Sequence, residues 1–300
     1  VRLNPEQQKR YREVVEQTVV RPGVKVIVAD KECAITAGRR QRAERRQTIA
    51  EHGFLPQEQH VNITPEVCEH CLVCTNSTGC TGLTFIDTDY GRKVATDGSF
   101  CVSDGACSKR LVCPSFEQVT VIRKRPPPSP WPWSARDGDV LQMFPVLREV
   151  SPIAFDKSYN VFVAGVGGMG VGTLTAILGR AAHEAGIDCQ ICDKKGLAIR
   201  NGGVYSRMVF SVDGARRSPL VPYGKADLIL ALDLLEAARG VDPRANLCVA
   251  HSSRTAAVIN CAETYPVASL MGKVEFNGAA LLNTLRKHTR RDSFWARDLF

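Results

Sequence analysis

Between residues 6 and 20, Tyr11, Val14, Val15, Thr18 and Val19 recur at the spacing of one helix face, and Pro22-Gly23 ends that helix. The unbroken apolar run Val24 to Ala29 then predicts a buried strand with Asp30 at its carboxyl end. An arginine-rich stretch, 39–51, reads as a second helix that closes at Gly53. One helix and one strand cannot cover both faces of a sheet, so these first sixty residues are expected to be the tail of a larger α/β domain. Leu83 to Ile86 and Lys93 to Thr96, flanking the polar stretch Asp87 to Arg92, predict a hairpin, and Val119 to Ile122 another strand. The proline run from Pro126 to Pro132 can be neither helix nor central strand and predicts a stiff extended spacer.

From Asn160 the pattern changes to strand, glycine loop, helix, strand. Val161 to Ala164 is apolar throughout. Leu174, Ile177, Leu178, Ala181, Ala182 and Ala185 share one helix face that Gly186 ends, and Ile187 to Cys192 forms the next strand. Asp227 to Leu232 and Asn246 to Ala250 read as further buried strands, so a mostly parallel sheet is expected. No repeat of solenoid period is present.

The 300 residues are 44% hydrophobic and 23% charged, enough for two or three domains with their own cores. There is no run of eighteen apolar residues and no hydrophobic signal core near the N-terminus, which sets the expectation of a cytoplasmic chain with no membrane partner. A start at Val1 and an end at Phe300 predict a piece of a longer protein. The net charge of +8 gathers in Arg39 to Arg46, Arg123 to Arg125 and Arg286 to Arg291. Solvated faces account for such runs; docking of an acidic protein or a phosphorylated ligand are the functional alternatives. Nucleic acid ranks last, because no aromatic residues interleave the basic ones as a stacking platform requires.

Twelve cysteines without a secretion signal point away from a disulfide framework, and seven of them fall between residues 68 and 113. Cys68-x2-Cys71-x2-Cys74 is a spacing that lets three thiolates close on one iron-sulfur cubane, and Cys113-Pro114 fits the distant fourth ligand of ferredoxins. The competing metal is zinc, whose four-cysteine sites use two separate CxxC-like knuckles instead. Cys80, Cys101 and Cys107 form a candidate second cluster one cysteine short of a cubane. They suit a three-iron cluster, a cluster borrowing His70 or Asp104, or simple buried thiols. Cys33, Cys189, Cys192, Cys248 and Cys261 lie in or beside apolar strands and are expected to pack.

Gly165-x-Gly167-Gly168-x-Gly170 satisfies GxGxxG between a strand and a helix, and Gly172 and Thr173 extend it, so backbone amides there can cradle a phosphate. A tight strand-to-helix crossover that needs small residues is the plainer alternative. Asp193 ends the following strand where a ribose-binding acid sits in a dinucleotide site, which keeps an NAD(P)- or flavin-linked iron-sulfur oxidoreductase subunit open. A non-catalytic electron-transfer module is open too. Lys195 and Arg200, in the loop that follows, could clamp an acidic group. Asp137-Gly138-Asp139 lacks the surroundings of a metal-diphosphate motif and reads as a turn.

Three groups of residues together resemble indolepyruvate ferredoxin oxidoreductase in its long fused form. Val26 to Cys33 resembles the end of that family's thiamine-diphosphate-binding domain. Cys68 to Cys74, through Cys113-Pro-Ser-Phe116, resembles its ferredoxin-like segment. Gly165 to Gly172, Lys195 to Ala198 and Asn201 to Gly203 resemble its gamma domain. The resemblance covers about residues 24–215. It implies an α/β architecture in four parts: the C-terminal remnant of a thiamine-diphosphate-binding domain over 1–61, a ferredoxin-like 4Fe-4S module over 62–125, a proline-rich linker over 126–157 and an incomplete Rossmann-like gamma domain over 158–300. It further implies oxidative decarboxylation of 2-oxoacids such as aryl-pyruvates to acyl-coenzyme A, with thiamine diphosphate and Mg2+ as cofactors and coenzyme A as co-substrate. Ferredoxin is the implied electron acceptor, the remaining thiamine-binding domains or subunits the implied partners, and a homo-oligomer the implied state. Coenzyme A phosphate or a neighbouring subunit would suit Lys195 and Arg200. With no diphosphate-anchoring motif in view, this span alone is not expected to turn over.

Overall fold

The structure is a computed structural model and describes residues 8–28, 34–98, 100–105, 107–108, 113–126, 157–196, 202–215, 217–245 and 247–299. The chain divides into two compact units, one of residues 1–58 with 120–141 and one of residues 59–119 with 142–300.

In the first unit, α1 (Gln8–Val19) and α2 (Ala34–His52) form as the sequence predicts, and Gly53 ends α2 with a left-handed φ of 76°. The expected strand after α1 does not form. Residues 24–28 are irregular, and Val24, Val26 and Val28 are exposed. A strand exists only as a hydrogen-bonded ladder, and among the described residues none pairs with this run, so its amides stay with water. Asp30 and Cys33 lie outside the described residues. Beyond α2, Glu58 is clasped by Arg45 and Arg123. Burial works to raise its carboxyl, but the two guanidinium groups outweigh that and hold it below the ordinary range. A carboxyl depressed on folding stabilises above its unfolded pKa of about 4.3, and that stability is lost as pH falls through the folded value. Thermal unfolding followed from pH 6 down to about pH 3 should therefore show a loss of stability that Glu58→Gln reduces.

The second unit has a small cysteine-bearing part and a larger α/β part. In the first of these, β1 (Gln57–Ile63) pairs with β4 (Phe116–Ile122), α3 (Val73–Thr78) follows the CxxCxxC loop, and β2 (Leu83–Thr88) pairs antiparallel with β3 (Gly91–Thr96). The predicted hairpin is thus present, with Leu83 opposite Thr96 and Thr88 opposite Gly91. Ile63, Cys68, Cys74, Leu83 and Val94 make its buried core. β1 has a mainly polar sequence, Gln-Glu-Gln-His-Val-Asn-Ile, and only Val61 and Ile63 are buried, which is why periodicity did not reveal it.

The α/β part is a six-stranded sheet in the order β10-β9-β8-β5-β7-β6, built from β5 (Ser158–Val166), β6 (Asp188–Lys195), β7 (Gly203–Ser211), β8 (Leu228–Ala231), β9 (Ala256–Asn260) and β10 (Phe294–Arg297). β5, β8, β9 and β10 pair in parallel, as expected, while β7 lies antiparallel between β5 and β6. The helices are α4 (Val171–Glu184), α5 (Leu234–Val241), the short α6 (Val267–Leu270) and α7 (Gly278–His288). β5 is central and reads as an unbroken apolar run because both its faces are covered: Val161, Val163, Val171 and Met208 pack on one side, Phe162, Ala164, Ala237 and Val241 on the other.

The strand expected at 246–250 is also absent. Residues 247–250 are buried or half-buried but irregular, with Cys248 at a left-handed φ of 33°, and the place beside β8 is taken by β9. A left-handed residue breaks the ladder geometry, so this run makes isolated bonds in place of a ladder: the Gly224 and Ala226 amides donate to the Cys248 and Val249 carbonyls, and the Val249 amide donates to the Gly240 carbonyl. Among the described residues no helix is long and apolar enough to cross a membrane.

Candidate functional site

Cys68, Cys71 and Cys74 come together because the loop between β1 and α3 is turned sharply twice, at His70 (φ 53°) and Leu72 (φ 57°). Both are non-glycine residues in the left-handed region, an arrangement that costs energy and is held by its surroundings. The Cys68 amide bonds back to the Thr64 carbonyl at 3.1 Å, and Thr64 itself bonds the Ser115 carbonyl at 2.8 Å. That pair of bonds ties the CxxCxxC loop to the segment holding Cys113, whose Sγ lies 2.9 Å from Ser115 Oγ. Cys68 and Cys74 are buried and Cys71 is exposed. Burial, with the neighbouring Cys71 and Cys68 adding to it, pushes the Cys74 thiol up to about 11, while the amides of Thr75 and Cys74 favour its thiolate. Lys93 Nζ donates to the Cys68 carbonyl at 2.7 Å and sets a cation beside the loop.

Cys80, Cys101 and Cys107 form a second group. Gly82 is the close contact that makes it: a Cβ there would stand 2.9 Å from the Cys101 Cα, so only glycine lets the segment carrying Cys80 touch the backbone of Cys101. Cys107 is buried, and its thiol is raised by burial and then by Cys80 and Cys101. A cleft of about 390 Å3 opens beside Cys101 and Ser103, lined also by His60, Asn62 and Thr96.

Among the described residues no three His, Cys, Asp or Glu side chains converge on one metal ion. A cubane asks for a different arrangement, since each of its four ligands binds a separate iron. The residues present suit such a group: short loops with amides near sulfur, buried thiols at Cys68, Cys74 and Cys107, and at His70 a buried Nδ1 with no hydrogen-bond partner next to Cys71.

The glycine loop joins β5 to α4. Gly165 is buried at the strand end, and Gly167 donates to the Gly202 carbonyl at 2.9 Å, tying the loop to the start of β7. Gly168 (φ 113°) and Gly170 (φ 83°) take conformations that favour glycine, and Gly170 caps α4 without a side-chain bond. Gly172 and Thr173 are exposed in the first turn of α4. This leaves an open helix N-terminus that can hold an anion. Gly168 also lies against the ring of Phe100, next to Cys101. Lys195 ends β6, while Arg200 and Asn201 lie outside the described residues, as do 127–156 with the proline run and Asp137 to Asp139.

Asp193 does not stand free for a ribose. Its Oδ1 accepts the Ser206 hydroxyl at 2.6 Å, because β7 intervenes between β5 and β6. Sequence reasoning missed a buried acidic pair near the loop. Asp233 caps α5 by accepting the Glu236 amide at 2.8 Å, and Glu236 packs on Gly203 and pairs with Arg239. Burial raises both carboxyls. Asp-x-x-Glu directly after an apolar strand is the capping-box signal that would have found them.

Aromatic contacts link the cysteine-bearing part to the α/β part: His70 on Phe85 (5.1 Å), Phe85 on Tyr265 (5.2 Å) and Tyr265 on Phe276 (5.3 Å). Of the thiols expected to pack, Cys248 is buried and Cys189, Cys192 and Cys261 are half-buried.

The sheet with its glycine loop is therefore an α/β domain, and residues 160–275 match the family described as pyruvate ferredoxin/flavodoxin oxidoreductase. Over this part the chain is similar to that oxidoreductase family. Its curated relatives include indolepyruvate oxidoreductase subunit IorB of Thermococcus kodakarensis, 39% identical over 29% of this chain and 42% of the relative, and that of Archaeoglobus fulgidus, 40% identical over 27% of this chain and 38% of the relative. The chain thus spans about two fifths of the length of the curated relatives it matches. Among solved structures it is similar to pyruvate oxidoreductase subunit PORC of Thermotoga maritima (TM-score 0.27, 16% identity, 39% of this chain and 58% of that one). It is similar also to the gamma subunit of a keto/oxoacid ferredoxin oxidoreductase of Geobacter sulfurreducens (TM-score 0.27, 18% identity, 47% of this chain and 61% of that one). At these scores neither likeness carries a structural conclusion.

Proposed function

We propose that this chain is part of an indolepyruvate-type 2-oxoacid:ferredoxin oxidoreductase, with Cys68, Cys71, Cys74 and Cys113 as ligands of a 4Fe-4S cluster. The observation that carries the reading is the packing, within one compact unit, of a CxxCxxC loop and an α/β domain that matches the model of this oxidoreductase family. Such a cluster supplies one-electron transfer at low potential. The chain's own residues do the holding: Thr64 and Ser115 bring the two cysteine segments together, and Lys93 offsets negative charge beside Cys68.

The glycine loop, Gly165 to Thr173, and Lys195 and Arg200 are assigned to an acidic group, coenzyme A phosphate or a neighbouring subunit. Thiamine diphosphate with Mg2+ belongs to the rest of the enzyme, whose domains or subunits are the proposed partners, together with ferredoxin and further copies in an oligomer. We place it in the cytoplasm, where thiols stay reduced. Isothermal titration separates this reading from a nicotinamide-linked one. The chain should show no saturable binding of NAD or NADP, consistent with Asp193 being held by Ser206. Together with its thiamine-binding partners it should reduce ferredoxin with indolepyruvate. Tight NAD(P) binding, or no oxoacid oxidation by the assembled complex, would overturn the assignment.

A further inference from the structure

The two cysteine groups are two copies of one loop. Cys68, Cys71 and Cys74 are followed six residues later by Cys80, while Cys101, Asp104 and Cys107 have the same internal spacing and are followed six residues later by Cys113. The backbone repeats with them. Left-handed residues occur two and four places after the first cysteine in both copies, at His70 and Leu72 in one and at Ser103 and Gly105 in the other. Seven places after it, a hydroxyl donates to the carbonyl three residues back in both: Thr75 to Leu72 at 2.8 Å, and Ser108 to Gly105 at 3.0 Å. Burial repeats as well, since Cys74 and Cys107 are buried while Cys71 and Asp104 are exposed. The position of Cys71 in the first loop is thus held by Asp104 in the second.

Resting on the reading that this module holds iron-sulfur, we propose that Cys80, Cys101 and Cys107 hold a second four-iron cluster in which Asp104 ligates the fourth iron through oxygen. Gly82 brings the segments of Cys80 and Cys101 into contact, and the Ser103 amide donates to the Cys101 sulfur at 3.4 Å. His70, the other group able to complete the set, belongs to the first loop, where it meets the Phe85 ring edge to face.

A carboxylate is a harder and weaker ligand for cluster iron than a thiolate. The iron at Asp104 is therefore the one that leaves on oxidation: [4Fe-4S]2+ goes to [3Fe-4S]+, Fe2+ and one electron, the electron being taken by an added oxidant such as ferricyanide.

The test is anaerobic reconstitution of the full chain, iron and sulfide counts, and low-temperature electron paramagnetic resonance before and after brief ferricyanide oxidation. The wild type should hold two clusters and on oxidation release about one iron per chain, with the signal of a three-iron cluster near the free-electron g value. Asp104→Cys should keep its iron and lose that signal. Asp104→Ala should hold about one iron fewer per chain before any oxidant is added and release none further when ferricyanide develops the signal, and Cys107→Ala should lose the signal while keeping the first cluster. A single cluster whose iron content is unaffected by Cys101→Ala and Cys107→Ala would overturn the second site. A three-iron signal unchanged in Asp104→Cys would overturn the role of Asp104. If iron content is insensitive to Cys68→Ala and Cys71→Ala as well, it is the reading of the whole module that fails. Asp104 is exposed, and unchanged circular dichroism of its variants confirms that the fold is retained.

Discussion

Cys74→Ala will abolish the cluster of the first loop, with the thiolate-to-iron charge-transfer absorbance of that site gone and about half of the bound iron lost if both sites fill. The effect is this large because Cys74, with Cys68, is one of the two buried thiols of its set. It sits in the buried core with Cys68, Ile63, Leu83 and Val94, and water cannot readily stand in for the missing ligand there. Alanine at Cys68, Cys71 or Cys113 should act in the same direction. At Cys71 the loss is open to partial repair by an added thiol, because that side chain is exposed. Absorbance and iron counts after anaerobic reconstitution check this; a full complement of iron in all four variants would refute the assignment.

Phe162→Ala should destabilise the α/β part by about 3–5 kcal/mol, a large share of the stability of a typical domain. The ring is fully buried on the central strand. It packs on Tyr205 with centroids 5.4 Å apart, and fits against Gly240, where a Cβ would lie 2.5 Å from Phe162 Cε1. Nothing around it can close the space left, because its neighbours Ala164, Ala237 and Val241 are small or stiff and themselves buried. Urea unfolding monitored by circular dichroism measures the loss. A cost under about 1 kcal/mol would mean that the core of this sheet lies elsewhere.

Much of the architecture was legible in local pattern. α1, α4, the β2-β3 hairpin, β5, β6 and β8 follow from apolar spacing and from Gly or Pro punctuation, because each owes its period to a face it must bury, whereas α2, mainly exposed, is read from its arginine-rich stretch and its end at Gly53. The two strands wrongly expected, at 24–29 and 246–250, share a cause. An apolar run says only that a segment avoids water, and whether it forms a strand depends on a partner with free backbone groups. Of the strands missed, β7 and β9 fail for the complementary reason. Gly203–Ser211 mixes polar and apolar residues because one edge of its pairing lies at the loop and Glu236, and Ala256–Asn260 is too short to carry a period.

The candidate site divides along the same line. Spacing alone singled out Cys68, Cys71, Cys74 and Cys113, since a CxxCxxC loop with a distant Cys-Pro is constrained by cluster chemistry wherever it occurs. The spacing of Cys101, Asp104 and Cys107 matches that of Cys68, Cys71 and Cys74, but a shared spacing alone does not say that two segments fold alike. The folded backbone, with its matched left-handed turns and hydroxyl bonds, makes Asp104 the counterpart of Cys71. The acid at Asp193 shows the reverse: its place at a strand end is readable from sequence, but its engagement by Ser206 is decided by β7 entering the sheet beside it. Ligand type and local turns are properties of neighbouring residues and so are written locally, whereas which side chains meet is set by strand order, a long-range outcome of burying the whole sheet at once.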